Sequence, residues 1–115
     1  MLNKVQLIGH VGHDLEIRET PQGTKVADLR LATMRYWRDA EGNRQEETEW
    51  HRVVFWGKSA ENVASVLAKG RLVYVEGRLQ TRSWDDESGK HFRTEVVAES
   101  WQALTRGSGA GEVAA

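Results

Sequence analysis

The chain has 115 residues, the length of one domain, with 16 Lys and Arg against 17 Asp and Glu and a formal charge of −1. That balance excludes a protein held to duplex DNA by bulk positive charge, though not a locally basic groove, and the absence of cysteine excludes disulfide frameworks, thiolate catalysis and Cys-based zinc sites. No uncharged apolar run approaches the roughly 18 residues of a membrane span, and the start, Met1-Leu-Asn-Lys-Val-Gln, alternates as a strand does, so a cytoplasmic protein without membrane contact is expected.

Period-two patterning dominates the chain. Residues 3–11 read as a first strand, with Val5 and Leu7 set against Lys4 and Gln6, and Gly9 and Gly12 marking a bend or bulge. Thr20-Pro-Gln-Gly23 is a turn, and residues 25–37 form a long strand in which Leu29 and Leu31 alternate with Asp28 and Arg30. Ala40-Glu-Gly-Asn-Arg44 reads as a hairpin loop, and residues 47–57 as the returning strand. Ser59 then caps a helix whose apolar positions Ala60, Val63, Ala64 and Leu67 follow i, i+3, i+4, i+7, with Gly70 closing it. Strands resume at 71–83 and 92–104, joined across Asp85-Asp-Glu-Ser-Gly-Lys90. Gly107 to Ala115 is low in complexity and reads as a flexible tail, leaving a folded domain of about residues 1–106. Three strands, a short helix and two more strands give the element order of an all-β OB-fold, a five-stranded Greek-key barrel with its helix between strands three and four.

Five of the nine aromatic residues are tryptophan. An indole is hard to bury whole because its N–H needs a partner, so a small domain this rich in tryptophan is expected to present some of them to a ligand. In Trp50-His-Arg-Val-Val-Phe-Trp56, alternation places Trp50, Arg52, Val54 and Trp56 on one face and His51, Val53 and Phe55 on the other. An arginine between two indoles fits a core poorly, since Arg52 would need a buried partner. An exposed face requires none, and there bases stack while the guanidinium meets phosphate. The competing reading packs one indole inward and leaves the other at the barrel mouth. The pairing of cation with indole recurs: Arg35 shares a face with Trp37, and Arg78 and Arg82 share one with Trp84. Trp101 lies outside this set and reads as core or subunit contact.

Other constellations are weaker. Asp85, Asp86 and Glu87 sit at a hairpin tip where charge is ordinarily solvated, and His10 and His13 lack a third ligand, so no metal is expected. Gly9-His-Val-Gly12 has the GXXG spacing of KH domains but follows a strand, where that loop needs helices on both sides. No catalytic base, nucleophile or phosphate loop stands in a convincing setting, so neither an enzyme nor a cofactor is expected.

The chain resembles the bacterial-type single-stranded DNA-binding proteins over about residues 3–104. The matching stretches are Asn3-Lys-Val-Gln-Leu-Ile-Gly9, Ala32-Thr33 with Trp37-Arg-Asp39, and Thr48-Glu-Trp-His-Arg-Val-Val54. They continue with Gly57-Lys58, Lys69-Gly70, Val73-Tyr-Val-Glu-Gly77 and Thr81-Arg-Ser-Trp84. The resemblance implies a homo-oligomer, usually a tetramer, of OB-folds that binds and protects single-stranded DNA in replication, recombination and repair. It places the stacking aromatics on Trp37, Trp50, Trp56 and Trp84. Basic contacts fall on Arg52, Lys58, Lys69 and Arg82, with Lys4 and Arg78 beside them, and Arg35 joins them as the cation next to Trp37. His51 falls at a subunit-interface position. Relatives often carry lysine where this chain has Ala40 and Ser83. They also end in a long linker and an acidic tip that recruits partner enzymes, whereas this chain stops at Glu112-Val-Ala-Ala115, so recruitment by that route is not expected. Either a truncated core or a natural tail-less variant fits this ending. Readings of other classes are an OB-fold protein-interaction subunit of a replication-restart or recombination complex, a metal-dependent nuclease using Asp85 and Asp86, and a structured-RNA binder. Partner binding without oligo(dT) binding, DNA cleavage with Mg²⁺, or preference for a folded RNA would mark them in turn.

Overall fold

Short runs of alternating apolar and polar side chains dictate strands with one buried face. The computed structural model of the chain, which describes residues 1–104, consists almost wholly of them; the expected tail at 107–115 lies outside the described residues. In chain order the elements are β1 Val5–Val11, β2 Glu16–Glu19, β3 Lys25–Arg38, β4 Arg44–Trp56, α1 Lys58–Val66, β5 Leu72–Asp86 and β6 Gly89–Leu104. The sheet runs β1-β5-β6-β4-β3-β2, and an additional pairing of β1 with β3 closes it into a barrel. Neighbours are antiparallel except β4 and β6, which meet in parallel at Val53↔Val96 and Val54↔Val97. The expected all-β OB architecture with one short helix is therefore present.

Six strand segments stand where five were expected, because the first barrel strand is interrupted. β1 pairs with β3 at His10↔Ala32 and Val11↔Leu31, and after a break β2 continues along the same partner from Glu16↔Asp28. All four β2 side chains are exposed, so no buried-face alternation marks this segment in the sequence. The hairpins are also tighter than expected. β4 begins at Arg44 because Asp39 accepts the backbone N–H groups of Glu41 and Asn43 and the side-chain amide of Gln45, ordering the turn. The bond from Asn43 leads the causes that hold the Asp39 carboxyl below the usual carboxylate range. β5 and β6 run to Asp86 and from Gly89, where Asp86 accepts from the Ser88 backbone and hydroxyl.

Ser59 does not cap the helix. Gly57, with φ 65°, turns the chain off β4, and its carbonyl accepts the first helical N–H from Ala60 at 3.0 Å, so α1 starts at Lys58. Nor does Gly70 close it: Leu67 already has extended backbone, and Gly70, with φ 91°, sits in the following turn donating to the Val11 carbonyl at 2.8 Å. Ala60, Val63 and Leu67 are nevertheless buried as the periodicity requires, joining a core that includes Leu29, Leu31, Phe55 and Val73. Trp101 packs half-buried against that core.

Of the bend or bulge expected at Gly9 and Gly12, Gly12 stands at the break after β1, whereas Gly9 lies within regular pairing. Pairing of β1 with β5 is continuous from Val5↔Gly77 to His10↔Leu72, while the register shift lies in the β5–β6 ladder, where Glu76↔Ser100 and Gly77↔Ala98 leave Glu99 of β6 as the extra residue. Gly9 serves close approach instead, since a Cβ there would collide with the Ala32 backbone carbonyl across the seam that closes the barrel. Gly9→Ala is therefore expected to lower stability by about 1–3 kcal/mol, the usual scale of overpacking, with the urea unfolding midpoint as the measurement.

Candidate nucleic-acid interface

The outward face of β4 carries Trp50 and Trp56, 50% and 38% exposed, with Arg52 between them. Trp50 lies against the strand break after β1. A Cβ on Gly12 would stand 2.6 Å from its Cζ3, so glycine there makes room for the ring, and Arg30 from β3 lies 5.3 Å from the ring centroid. The β5–β6 hairpin adds a second row. Its register sets Arg82 opposite Arg93 and Trp84 opposite His91, and directly opposed residues share a face. Trp84 is 42% exposed, stacks on the His91 ring at 5.5 Å and has Arg93 at 5.5 Å; Arg82 lies 5.9 Å from the Trp56 centroid.

Ion pairs join the two rows. Glu95, 3% exposed, is the buried charged side chain of the described residues; it accepts Nε of Arg52 at 3.2 Å and, through its other oxygen, Nε of Arg82. Arg52 Nη2 also reaches Asp28 at 3.2 Å, and Asp28 accepts Nε of Arg18 at 2.9 Å. Arg52 thus departs from the expectation of an unpartnered exposed arginine: it is partly buried and bound by two carboxylates. The reason is that the parallel contact of β4 with β6 brings Glu95 beside it. Both bonds to Glu95 run through Nε, so guanidinium N–H groups of Arg52 and Arg82 remain beyond those the ion pairs use, and a concavity of about 240 Å³ is lined by Arg18, Arg52, Arg82, Trp84, Arg93 and Glu95. Four cations against the carboxylates Asp28 and Glu95 leave that face net positive.

The remaining residues are more scattered. Arg78 lines a second concavity with Trp56 and Arg82, its Nε 3.9 Å from Glu99. Trp37, 38% exposed and covered by Arg35 at 4.3 Å, lies far out on the β3–β4 hairpin. Arg35 is already paired with Glu47 at 2.9 Å. Lys4 pairs with Glu76 at 2.7 Å on the β1–β5 face; this hydrogen bond raises the lysine and, in company with the Tyr74 hydroxyl, depresses the carboxyl. Lys58 and Lys69 are exposed at either end of the helical segment, and the Lys69 backbone N–H donates to Asp14. His51 is half-buried, its Nε2 2.8 Å from the Thr33 hydroxyl. Among the described residues no group of three or more His, Asp or Glu is placed to hold a metal ion, and Asp86 spends its oxygen on the hairpin turn and His91.

Sequence reasoning missed Arg18, Arg30, Arg93, Asp28 and Glu95. Arg93 becomes legible once the hairpin turn is placed at Glu87 and Ser88, whereas Glu95 reads as one more polar residue on a strand edge until β4 and β6 are known to touch.

A model of the single-strand binding protein family matches residues 2–104. A single-stranded DNA-binding protein 1 of Chlorobaculum tepidum is 53% identical over 113 residues, covering 96% of this chain and 70% of the relative. Among solved structures, an SSB of Plasmodium falciparum in complex with single-stranded DNA superposes with a TM-score of 0.83 at 35% identity, covering 91% of this chain and 96% of that one. A deletion mutant of the single-stranded DNA-binding protein of Thermus aquaticus gives 0.82 at 37% identity, covering 92% and 52%.

Removing the Glu95 carboxylate strips two guanidinium groups of a common acceptor, though water reaches both arginines and softens the loss. Glu95→Ala is expected to lower unfolding free energy by about 1–3 kcal/mol, read from urea denaturation, with Glu95→Gln intermediate.

Proposed function

Because the chain belongs to the single-strand binding protein family, we propose that it binds and protects single-stranded DNA without sequence preference and without chemical change. The observation that carries this reading is the set of half-open indoles interleaved with arginines across neighbouring strands of one barrel. Every base has a π-face, so an indole platform accepts any sequence, each stack contributing roughly 1–3 kcal/mol. Trp50, Trp56 and Trp84 form the main platforms, and Trp37 adds one on the opposite face of the β3–β4 hairpin.

Phosphate contact comes from the terminal N–H groups of Arg52 and Arg82, with Arg78 beside them and Lys58 and Lys69 as mobile point charges. Lys4 and Arg35 contribute less, since each already satisfies a carboxylate. On a body of near-zero net charge, stacking contributes more to affinity than charge does, so the salt dependence per subunit should be that of a few phosphates at roughly 0.7 per contact.

The protein works without catalysis or cofactor, in replication, recombination and repair of cytoplasmic, nucleoid-associated DNA. We read it as a homotetramer. Over Val5–Gly9, β1 pairs with β5 along one edge, and among the described residues it reaches β3 only at His10 and Val11. That open edge, with Ile8 57% exposed beside it, suits strand addition by a second copy. His51 is assigned to a subunit contact.

Titration of intrinsic fluorescence with oligo(dT) should show strong quenching, and Trp50→Ala or Trp84→Ala should weaken affinity at least about fivefold with the fold intact. Unchanged affinity in both variants would remove stacking as the basis of binding. Sedimentation at micromolar concentration should show the tetramer; a stable monomer would contradict it.

A further inference from the structure

We propose that Tyr36, with Arg38 and Arg44, forms an additional base-binding subsite at the outer end of the β3–β4 hairpin, extending the DNA track from Trp50; this rests on the single-stranded DNA reading above. The register of the hairpin carries the argument. Ala32 lies opposite Trp50, Met34 opposite Thr48, Tyr36 opposite Glu46 and Arg38 opposite Arg44. Opposed residues project to the same side and successive residues to opposite sides, so Ala32, Met34, Tyr36 and Arg38 share the face of Trp50. Trp37 and Arg35 occupy the other face of the ribbon. The hairpin is therefore aromatic on both sides, and the side continuous with Trp50 ends in a tyrosine.

Tyr36 is 50% exposed, as open as Trp50, and Met34 between them is 49% exposed, with its sulfur 3.8 Å from the Tyr36 hydroxyl. Four residues of strand separate Ala32 from Tyr36, about 13 Å at the usual rise, a distance that a short run of unpaired nucleotides spans. Arg44 lies 4.4 Å from the Tyr36 centroid, and Arg38 holds to the hairpin through one Nη donating to the Gly42 carbonyl. Tyr36, Trp37, Arg38 and Arg44 together line a shallow concavity of about 250 Å³. The arrangement repeats that of Trp50 beneath Arg30: a flat ring for a base with a guanidinium against it for phosphate. Glu46 is the acidic residue facing Tyr36, and Arg38, Arg44 and Arg30 outnumber it on this side of the ribbon. That surplus of arginine, together with continuity with Trp50, favours a nucleic acid strand over a protein partner as occupant.

The test uses the whole chain and oligo(dT) of increasing length, followed through tryptophan fluorescence. Tyr36→Leu should weaken binding of oligonucleotides long enough to pass Trp50 by roughly five- to tenfold and leave the shortest ones unaffected, while Tyr36→Phe, which keeps the ring, should bind as the wild type does. Photocrosslinking of the wild type to an iodouracil-substituted oligonucleotide should label Tyr36, a readout that altered hairpin packing alone would not produce. If the wild type binds and Trp50→Ala weakens it, yet Tyr36→Leu binds normally and Tyr36 is not labelled, the subsite is overturned while the stacking reading stands. A Tyr36→Leu variant that binds DNA normally but changes its sedimentation would overturn it in favour of a protein contact. If the wild type fails to bind oligo(dT) at all, the underlying reading fails instead.

Discussion

A single buried carboxylate organises the face on which we propose that this protein meets single-stranded DNA. Glu95 comes from β6, the arginines it holds come from β4 and β5, and its two oxygens take one guanidinium each. An arginine on an open strand ordinarily samples many rotamers and loses that freedom when it grips a phosphate. Anchored through Nε, and for Arg52 also through Nη2 to Asp28, the two arginines have lost much of it already, while guanidinium N–H groups beyond those bonds remain. Burial of the acid makes the anchor firm, because a desolvated carboxylate strongly favours keeping both partners. Asp28 extends the same device to Arg18, so the cations form a lattice with alternating sign rather than a patch of mutual repulsion.

This lattice explains how a chain of formal charge −1 can offer a basic groove. The acids are present in nearly equal number, but on this face Glu95 is buried and Asp28 is shared between Arg18 and Arg52. The indoles, between 38% and 50% exposed, set the spacing of the face, and each has a cation near its ring. Part of each indole is supported by the barrel or by a neighbouring charge, and part is left for a ligand, which keeps apolar surface open without collapse of the ring onto the core.

Closure of the barrel makes the arrangement possible. Gly9 lets β1 approach the backbone of β3, and Gly77 does the same for β5 against Val97, so that the sheet bends round on itself. The long hairpins then rise from the closed body carrying side chains on both faces. Near the barrel one face is core and the other is groove. Further out, with no body beneath, both faces are open, which is how Trp37 and Tyr36 come to be exposed although they are adjacent in the chain.

The sequence by itself determined the strand faces, the helix position and the identity of the indoles, because these follow from local periodicity: alternate residues on a strand must part, whatever the rest of the chain does. It named Trp50, Trp56 and Trp84 with Arg82 for that reason. It placed Arg52 on the right face but without its partners, overlooked β2, whose four exposed residues leave no apolar rhythm, and marked a bend or bulge at Gly9 and Gly12 where only Gly12 stands at a strand break. Those were matters for the tertiary structure. Arg52 and Glu95 are 43 residues apart and meet only where β4 runs parallel to β6. No local pattern encodes which strands become neighbours on closure, and a carboxylate's environment depends on that choice, since the same glutamate is a solvated surface charge on an open edge and a buried anchor beside two arginines.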